Sequence, residues 1–215
     1  MFSIIQAAGW PIWPLIACSV VALALVIEKF LSLRRRRVLP PTLLDEVMTV
    51  TRSSLPNAEV VNKLADNSQL GRVLAAGLRA VVADPRIGEG ALRQSFEIAG
   101  REAIHRLERY LNALGTIATA APLLGLLGTV VGMIEIFGSQ APASGGVANP
   151  AQLAHGISVA LYNTAFGLIV AIPALMFHRY FRGLVNEYRL GMELAAERMV
   201  PQLLRFTVQR SAGAA

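Results

Sequence analysis

Cysteine and histidine are scarce in this sequence, which has one cysteine, Cys18, and three scattered histidines, His105, His155 and His178. A lone cysteine excludes an intrachain disulfide, and the wide spacing of the histidines offers no pattern suited to a metal ion. Walker loops, dinucleotide fingerprints, nucleophile elbows and paired-carboxylate sites are also missing. We therefore predict that the chain is not an enzyme and holds no metal or other cofactor.

Lysine and arginine are missing from residues 1–11 and 138–152, although the whole chain carries a net charge of +6. All 20 basic residues lie in Lys29–Arg109 or Arg179–Arg210. This asymmetry follows the positive-inside rule and predicts that the N-terminus and the Gly138–Gln152 loop face the outside, with the C-terminus in the cytoplasm. Because no aromatic residues alternate with the arginines, the charge does not predict a nucleic-acid partner.

Apolar residues, in contrast, make up 54% of the chain and are concentrated in three blocks. The blocks are Trp10–Ile27, Leu114–Phe137 and Ile157–Phe177, each close to the ~20 residues that an α-helix needs to cross a bilayer. The sequence therefore predicts an all-α membrane protein with three transmembrane helices. We divide it into a first transmembrane helix (1–33), a cytoplasmic helical segment (34–113), a second transmembrane helix (114–137), a periplasmic loop (138–152), a third transmembrane helix (153–181) and a cytoplasmic C-terminal helix (182–215).

The first apolar block has two interpretations. Leu15–Cys18 resembles a lipoprotein cleavage box, which would make the block a removable signal. No lysine or arginine precedes the apolar run, however, and the basic run Arg34–Arg37 follows it. This order favours an uncleaved anchor that enters with its N-terminus outside and whose arginines lie near anionic lipid.

The segment between the first two blocks has turn signals at Ser53–Asn57 and Asp84–Gly90, which predict two short helices and a longer one. Apolar residues recur at three- and four-residue steps from Leu92 to Leu114, and no breaker separates this helix from the second block. We therefore predict one helix from about Leu92 to Phe137. A similar stripe, Tyr188–Phe206, extends the third span, and both stripes need partners, either each other or neighbouring subunits.

Small residues in the second block favour close helix packing. Gly128 and Gly132 form a GxxxG pair, and Gly125 lies one turn earlier. Thr129 and Glu135 add polar atoms inside the span or near its end. On its own, this pattern is explained more simply by packing than by function, because a threonine in a span often bonds the carbonyl one turn back.

The third block also combines small and polar residues on one side. Gly156, Ala160 and Thr164 share a face at four-residue steps, and Asn163 with Gly167 lies beside it. An asparagine inside hydrocarbon requires a hydrogen-bond partner, so we expect this face to meet protein or water rather than lipid. Together the second and third blocks predict a shared, narrowly polar passage.

Two runs in these spans, Ala121–Met133 and Thr164–Ala174, resemble the signature of the ExbB/TolQ/MotA proton-channel family, in particular its three-span ExbB/TolQ branch. The resemblance implies a homopentamer in the bacterial inner membrane, with the second and third spans around a central pore. It also implies an ExbD/TolR-type dimer whose single-span helices lie inside the pore and whose aspartate carries the proton. Proton flow would then move this partner and energise a TonB- or TolA-like protein for biopolymer transport.

By motif position, the resemblance assigns Thr129 and Thr164 as pore hydroxyls that face the partner's aspartate. We interpret Asn163 as an adjacent polar residue that lines the pore. Glu135 either gathers protons at the periplasmic mouth or is an interfacial carboxylate without a role. The chain departs from the family pattern at Val159, where many relatives have a glutamate, and at Asn163, where a small residue or threonine is more usual. The proton path at that level would therefore rest on hydroxyls, water and the partner's aspartate.

Two other interpretations stay open from the sequence. In the first, the glycine-rich faces only assemble helices, and the protein is a membrane scaffold that conducts no ions. In the second, the chain is a flagellar-type stator subunit. Such a subunit usually has four spans and a larger cytoplasmic insert, whereas this sequence shows three spans.

Overall fold

The described part of the chain, which in this computed structural model comprises residues 10–139 and 150–212, consists of α-helices joined by short turns. Some side chains inside these ranges, including those of His155 and Val159, are outside the description. We number the helices in chain order as α1 (Ile12–Ser32), α2 (Arg35–Val38), α3 (Leu43–Ser53), α4 (Ala58–Asn67), α5 (Gln69–Ala83), α6 (Glu89–Glu108), α7 (Leu111–Ser139) and α8 (Pro150–Ala212).

Among the described residues, three helical stretches are long and apolar enough to cross a membrane. They are Ile12–Ser32, Leu111–Gly138 and Gly156–Thr207, with mean hydropathies of 2.1, 2.0 and 1.8. The prediction of an all-α protein with three membrane-spanning helices is therefore confirmed. The 63-residue length of α8 also confirms that the third span continues into a long helix.

The chain divides into two compact units, which we describe separately. The membrane unit comprises residues 1–28 and 110–180, and the polar unit comprises residues 29–109 and 181–215. In the membrane unit, Leu15 of α1, Ala121 of α7 and Ala171 of α8 form a buried cluster, with Leu124 and Val170 packed against it. All three apolar helices therefore meet in this unit.

The outer surface of the membrane unit is apolar. The side chains of Trp13, Leu123 and Ile134 are each about two-thirds exposed within the single chain. Large apolar side chains exposed in this way require lipid or other protein around them rather than water. The bounds of the six predicted segments stay predictions. The side of the membrane on which each terminus lies is also still a prediction.

The polar unit has the core of a water-soluble helical bundle. α4 packs on α5 and α5 on α6, and the α8 extension contributes a buried stripe. Tyr188 of that stripe donates its hydroxyl proton to the carbonyl of Leu33 at 2.7 Å, and Gln202 donates to the carbonyl of Met48 at 2.7 Å. The apolar stripe that the sequence left without a definite partner is thus covered, within this unit, by the same chain.

Both predicted turn regions lie between helices, but the structure contains one further break between them. α3 ends at Ser53 and α4 begins at Ala58, while α5 ends at Ala83 and α6 begins at Glu89. The additional break is at Ser68, whose backbone is extended and whose hydroxyl accepts a hydrogen bond from the Gly71 amide at 3.0 Å. A serine before a helix is a favourable N-cap, so this break had a sequence signal that the turn signals obscured.

The prediction of one helix from about Leu92 to Phe137 is wrong. α6 ends at Glu108, α7 begins at Leu111, and Tyr110 between them has a φ of 66°. Left-handed backbone cannot continue a right-handed helix, and it is uncommon in residues other than glycine. Within the polar unit, the buried Lys29 ammonium donates to the Leu107 carbonyl at 3.2 Å, which gives one of the terminal carbonyls of α6 a partner.

Candidate functional site

The candidate site is the seam where α7 and α8 pack against each other in the membrane unit. A Cβ atom built on Gly125 would lie 2.8 Å from the Asn163 carbonyl oxygen and 3.0 Å from the Thr164 Cα. A Cβ on Gly167 would lie 2.7 Å from the carbonyl oxygen of Ala121. Any larger side chain at these two positions would force the backbones apart. The close approach of α7 and α8 therefore depends on the glycines.

The seam continues along both helices with the same small residues. A Cβ on Gly132 would lie 3.3 Å from the Cβ of Ala160. Further along, Gly156 leaves room for the side chain of Ile136. The five glycines that the sequence suggested for helix packing therefore all lie in one antiparallel contact between α7 and α8.

Thr164 is half-buried in this seam. Its hydroxyl donates a hydrogen bond across the seam to the carbonyl oxygen of Gly125 at 3.2 Å. The hydroxyl proton is thereby committed to the backbone of α7, while lone pairs of the Thr164 oxygen remain available as acceptors. In this arrangement Thr164 can accept a hydrogen bond from a protonated acid more readily than it can donate one to a carboxylate.

Asn163 is buried deeply in the same contact, with 2% of its surface exposed. A Cβ atom on Gly128 would lie 2.7 Å from the Asn163 Cβ and 2.9 Å from its Nδ2. The amide therefore occupies the space that Gly128 leaves open. The expectation that this face of α8 meets protein rather than lipid agrees with that burial.

Thr129 lies in different surroundings from Thr164. Its hydroxyl donates to the carbonyl oxygen of Leu126 in its own helix at 2.7 Å. Its side chain lines an open, mostly apolar surface groove of about 570 Å³. The other lining residues of this groove, which all belong to α7, are Val130, Met133, Ile134, Phe137 and Gly138. The two threonine hydroxyls therefore bond different carbonyls, Thr129 within α7 and Thr164 across the seam.

The remaining candidates lie toward the end of α7 or outside the described residues. Glu135 is exposed, one helical turn before α7 ends at Ser139. The side chain of Val159 is not described, and neither are residues 140–149 of the predicted periplasmic loop. Among the described side chains, no cluster of three or more potential metal ligands occurs.

A contact that the sequence did not suggest joins Gly115 of α7 to His178 of α8. A Cβ atom on Gly115 would lie 3.0 Å from Nε2 of the imidazole and 3.2 Å from its Cδ2. The ring therefore packs on bare backbone, as the glycine allows. An isolated glycine in an apolar helix was the available signal, because such a glycine often marks close approach of another group.

Comparison with known proteins identifies the family of this chain. A profile of the MotA/TolQ/ExbB proton channel family matches residues 65–194. The putative biopolymer transport protein ExbB-like 3 of Synechocystis sp. is 34% identical over 181 residues, which cover 83% of each chain. The biopolymer transport protein exbB1 of Vibrio cholerae is 31% identical over 172 residues, which cover 79% of this chain and 74% of that protein. The chain therefore belongs to the MotA/TolQ/ExbB proton channel family.

Proposed function

We propose that this chain is a proton-channel subunit of the bacterial inner membrane that uses the proton motive force to energise TonB- or Tol-dependent processes at the outer membrane. It acts as a homopentamer around an ExbD/TolR-type partner dimer, with its N-terminus in the periplasm and its C-terminus in the cytoplasm. Family membership, the names of the relatives as biopolymer transport proteins, and the distribution of basic residues support this proposal.

The observation that carries the proposal is the hydrogen bond from Thr164 to the Gly125 carbonyl. An acidic side chain that enters an apolar pore is driven to take up a proton, because burial disfavours the charged form. A threonine oxygen whose proton is already donated offers that neutral acid an acceptor. Thr129, which donates to the Leu126 carbonyl, offers a second acceptor of the same kind.

The two protonation states of the partner's acid therefore require different hydroxyl positions. To solvate a carboxylate, Thr164 must turn its proton away from Gly125, which costs a hydrogen bond worth about 0.5–1.5 kcal/mol. A proton that crosses ~100 mV releases about 2.3 kcal/mol. The driving force is large enough to switch the hydroxyl between the two arrangements, so protonation can be coupled to movement of the partner.

The same hydrogen bonds also favour a second candidate, a membrane scaffold that conducts no ions. Both threonine hydroxyls bond backbone carbonyls of their own chain, and the glycines lie in a packed seam. These contacts would stabilise a helix assembly without any proton transfer. The scaffold and the channel differ in whether removal of one hydroxyl abolishes proton-dependent work.

The test replaces Thr164 by valine in cells that lack the native chain but express its partner. We expect Thr164→Val to assemble with the partner, as measured by co-purification, and to lose proton-dependent outer-membrane function. Thr116→Val is the control, since Thr116 is exposed on α7 and its hydroxyl donates to the Asn112 carbonyl of its own helix at 2.9 Å. If Thr164→Val assembles with the partner and keeps full function, the assignment of Thr164 to the pore is wrong.

A further inference from the structure

The polar unit contains a cavity of about 310 Å³ between α4, α5 and α6. This volume is at the lower end of the range found for small-molecule sites, ~300–1,000 Å³. Its lining combines small apolar side chains with charged and amide groups: Ala65, Asp66, Gln69, Arg72, Ala76, Arg79, Ala99, Glu102, Ala103 and Arg106. None of these residues belongs to α7, to α8 or to the seam between them.

Alanines form the apolar part of the cavity wall. Ala76 of α5 and Ala99 and Ala103 of α6 stand where two packed helices would otherwise fill the space with larger side chains. The same two helices are in close contact at Gly77 of α5, where an added Cβ would collide with the ring of Phe96 of α6. The cavity therefore lies beside a position where α5 and α6 pack closely.

Two arginines give the cavity a positive side. Arg72 is half-buried, and its Nε donates to the carbonyl oxygen of Ala65 at 3.3 Å. Arg79 donates to the side-chain oxygen of Asn62 at 2.7 Å. Both acceptors are neutral, and among the described residues neither arginine has a carboxylate within ion-pair distance. Arg106, in contrast, is paired with Glu102. Uncompensated guanidinium groups are suited to phosphate oxygens.

Acceptors without donors give the cavity a second, complementary side. The Oε1 atom of Gln69 is buried and has no hydrogen-bond partner among the described residues. Asp66 lines the same cavity, and no cationic side chain in the described part of the chain lies within ion-pair distance of it. A buried acceptor without a donor is unfavourable, and a carboxylate attracts ammonium or hydroxyl donors.

From these two sides we infer that the cavity binds a phosphate ester that also carries a hydroxyl or ammonium donor. Arg72 and Arg79 hold the phosphate oxygens, and Gln69 with Asp66 accepts hydrogen bonds from the donor. Phosphoethanolamine and glycerol phosphate have this chemistry, either as free esters or as head groups of phospholipids. Phosphocholine lacks the donor, so it serves as the matched probe that the site rejects.

The first experiment measures binding of free O-phosphoethanolamine, glycerol 1-phosphate and phosphocholine to the detergent-solubilised full-length chain by calorimetry. We expect saturable binding of the first two, and a loss of about tenfold or more in Arg72→Gln, since a charge-assisted hydrogen bond is removed. Arg86→Gln, which removes an exposed arginine outside the cavity, leaves binding unchanged. Equal losses of affinity in Arg72→Gln and Arg86→Gln would overturn the proposed site.

A second variant separates binding from folding, because Arg72 also bonds the last turn of α4. Ala76→Met keeps every charge and fills the cavity, so it abolishes binding while its far-UV circular dichroism matches that of the native chain. Binding that persists in a folded Ala76→Met variant would overturn the proposal. This result is independent of proton conduction, which depends on residues of α7 and α8.

Native mass spectrometry then distinguishes the two sources of the ligand. The chain is incubated in detergent with phosphatidylethanolamine, phosphatidylglycerol or phosphatidylcholine, and the lipids that remain bound are counted. If the source is a lipid, the first two are retained and Arg72→Gln lowers their retention to the level of phosphatidylcholine. If the source is a free ester, only the calorimetric binding responds to Arg72→Gln. If Arg72→Gln changes neither the calorimetric binding nor the lipid retention, the inference is overturned.

Discussion

The hydroxyl of Thr164 donates to the carbonyl oxygen of Gly125 across the seam between α7 and α8, at 3.2 Å. This bond joins a polar group of one membrane-spanning helix to the backbone of the other at a point where two glycines, Gly125 and Gly167, bring the helices together. Side chain and seam are thus coupled, because the bond exists only at this helix separation. The acceptor lone pairs of the Thr164 oxygen are therefore held in position by the packing of the two helices.

A methyl group added at Gly128 should destabilise the membrane unit. In Gly128→Ala the new Cβ would lie 2.7 Å from the Cβ of Asn163, and overpacking of this kind costs about 1–3 kcal/mol. Gly183→Ala is the control, because Gly183 has nothing within 4 Å of an added Cβ and alanine is the better helix former. We expect a lower melting temperature for Gly128→Ala only, and equal melting temperatures would contradict the close seam.

Removal of the buried ammonium of Lys29 should loosen the end of α6. Lys29→Met keeps the length of the side chain but deprives the Leu107 carbonyl of its donor, at a cost of about 1–3 kcal/mol for a buried acceptor left unsatisfied. Hydrogen exchange measures the effect, and the amides around residues 107–114 should exchange faster. Lys63→Met, at an exposed position, should leave them unchanged. Unaltered exchange in Lys29→Met would mean that Tyr110 alone interrupts the helix.

Ser68→Ala should destabilise the polar unit through the start of α5. The Ser68 hydroxyl accepts from the Gly71 amide at 3.0 Å and the residue is buried, and loss of an N-cap typically costs ~1 kcal/mol. Ser95→Ala provides the comparison, since the exposed Ser95 hydroxyl only donates to the carbonyl one turn back in α6. Thermal melts of the two variants should differ by several degrees. If they coincide, the cap does not stabilise α5.

Much of the fold could be predicted from the sequence because its signals are local. The three apolar blocks, the turns around Pro56 and Pro85, and the continuation of the third span into a long helix all follow from composition and periodicity. The break at Arg109–Tyr110 could not be predicted in this way. Neither residue is a helix breaker. The Leu107 carbonyl at the end of α6 accepts its hydrogen bond from Lys29, which is far away in sequence.

The candidate site could be predicted as a set of residues but not as a set of contacts. Small and polar residues in the two spans indicated which faces would pack. The pairing of Gly128 with Asn163 and of Gly125 with Thr164 depends on the register of two antiparallel helices, which periodicity within each helix does not determine. The different surroundings of Thr129 and Thr164 are a consequence of the same register.

Proton flux into liposomes that contain this chain and its partner tests the central claim most directly. An applied membrane potential drives the flux, and a pH-sensitive dye inside the liposomes reports it. We expect the native chain and Thr164→Ser, which keeps the hydroxyl, to acidify the interior, and Thr164→Val to match liposomes without protein. An internal pH that stays unchanged with the native chain and its partner present would contradict the channel and support the scaffold.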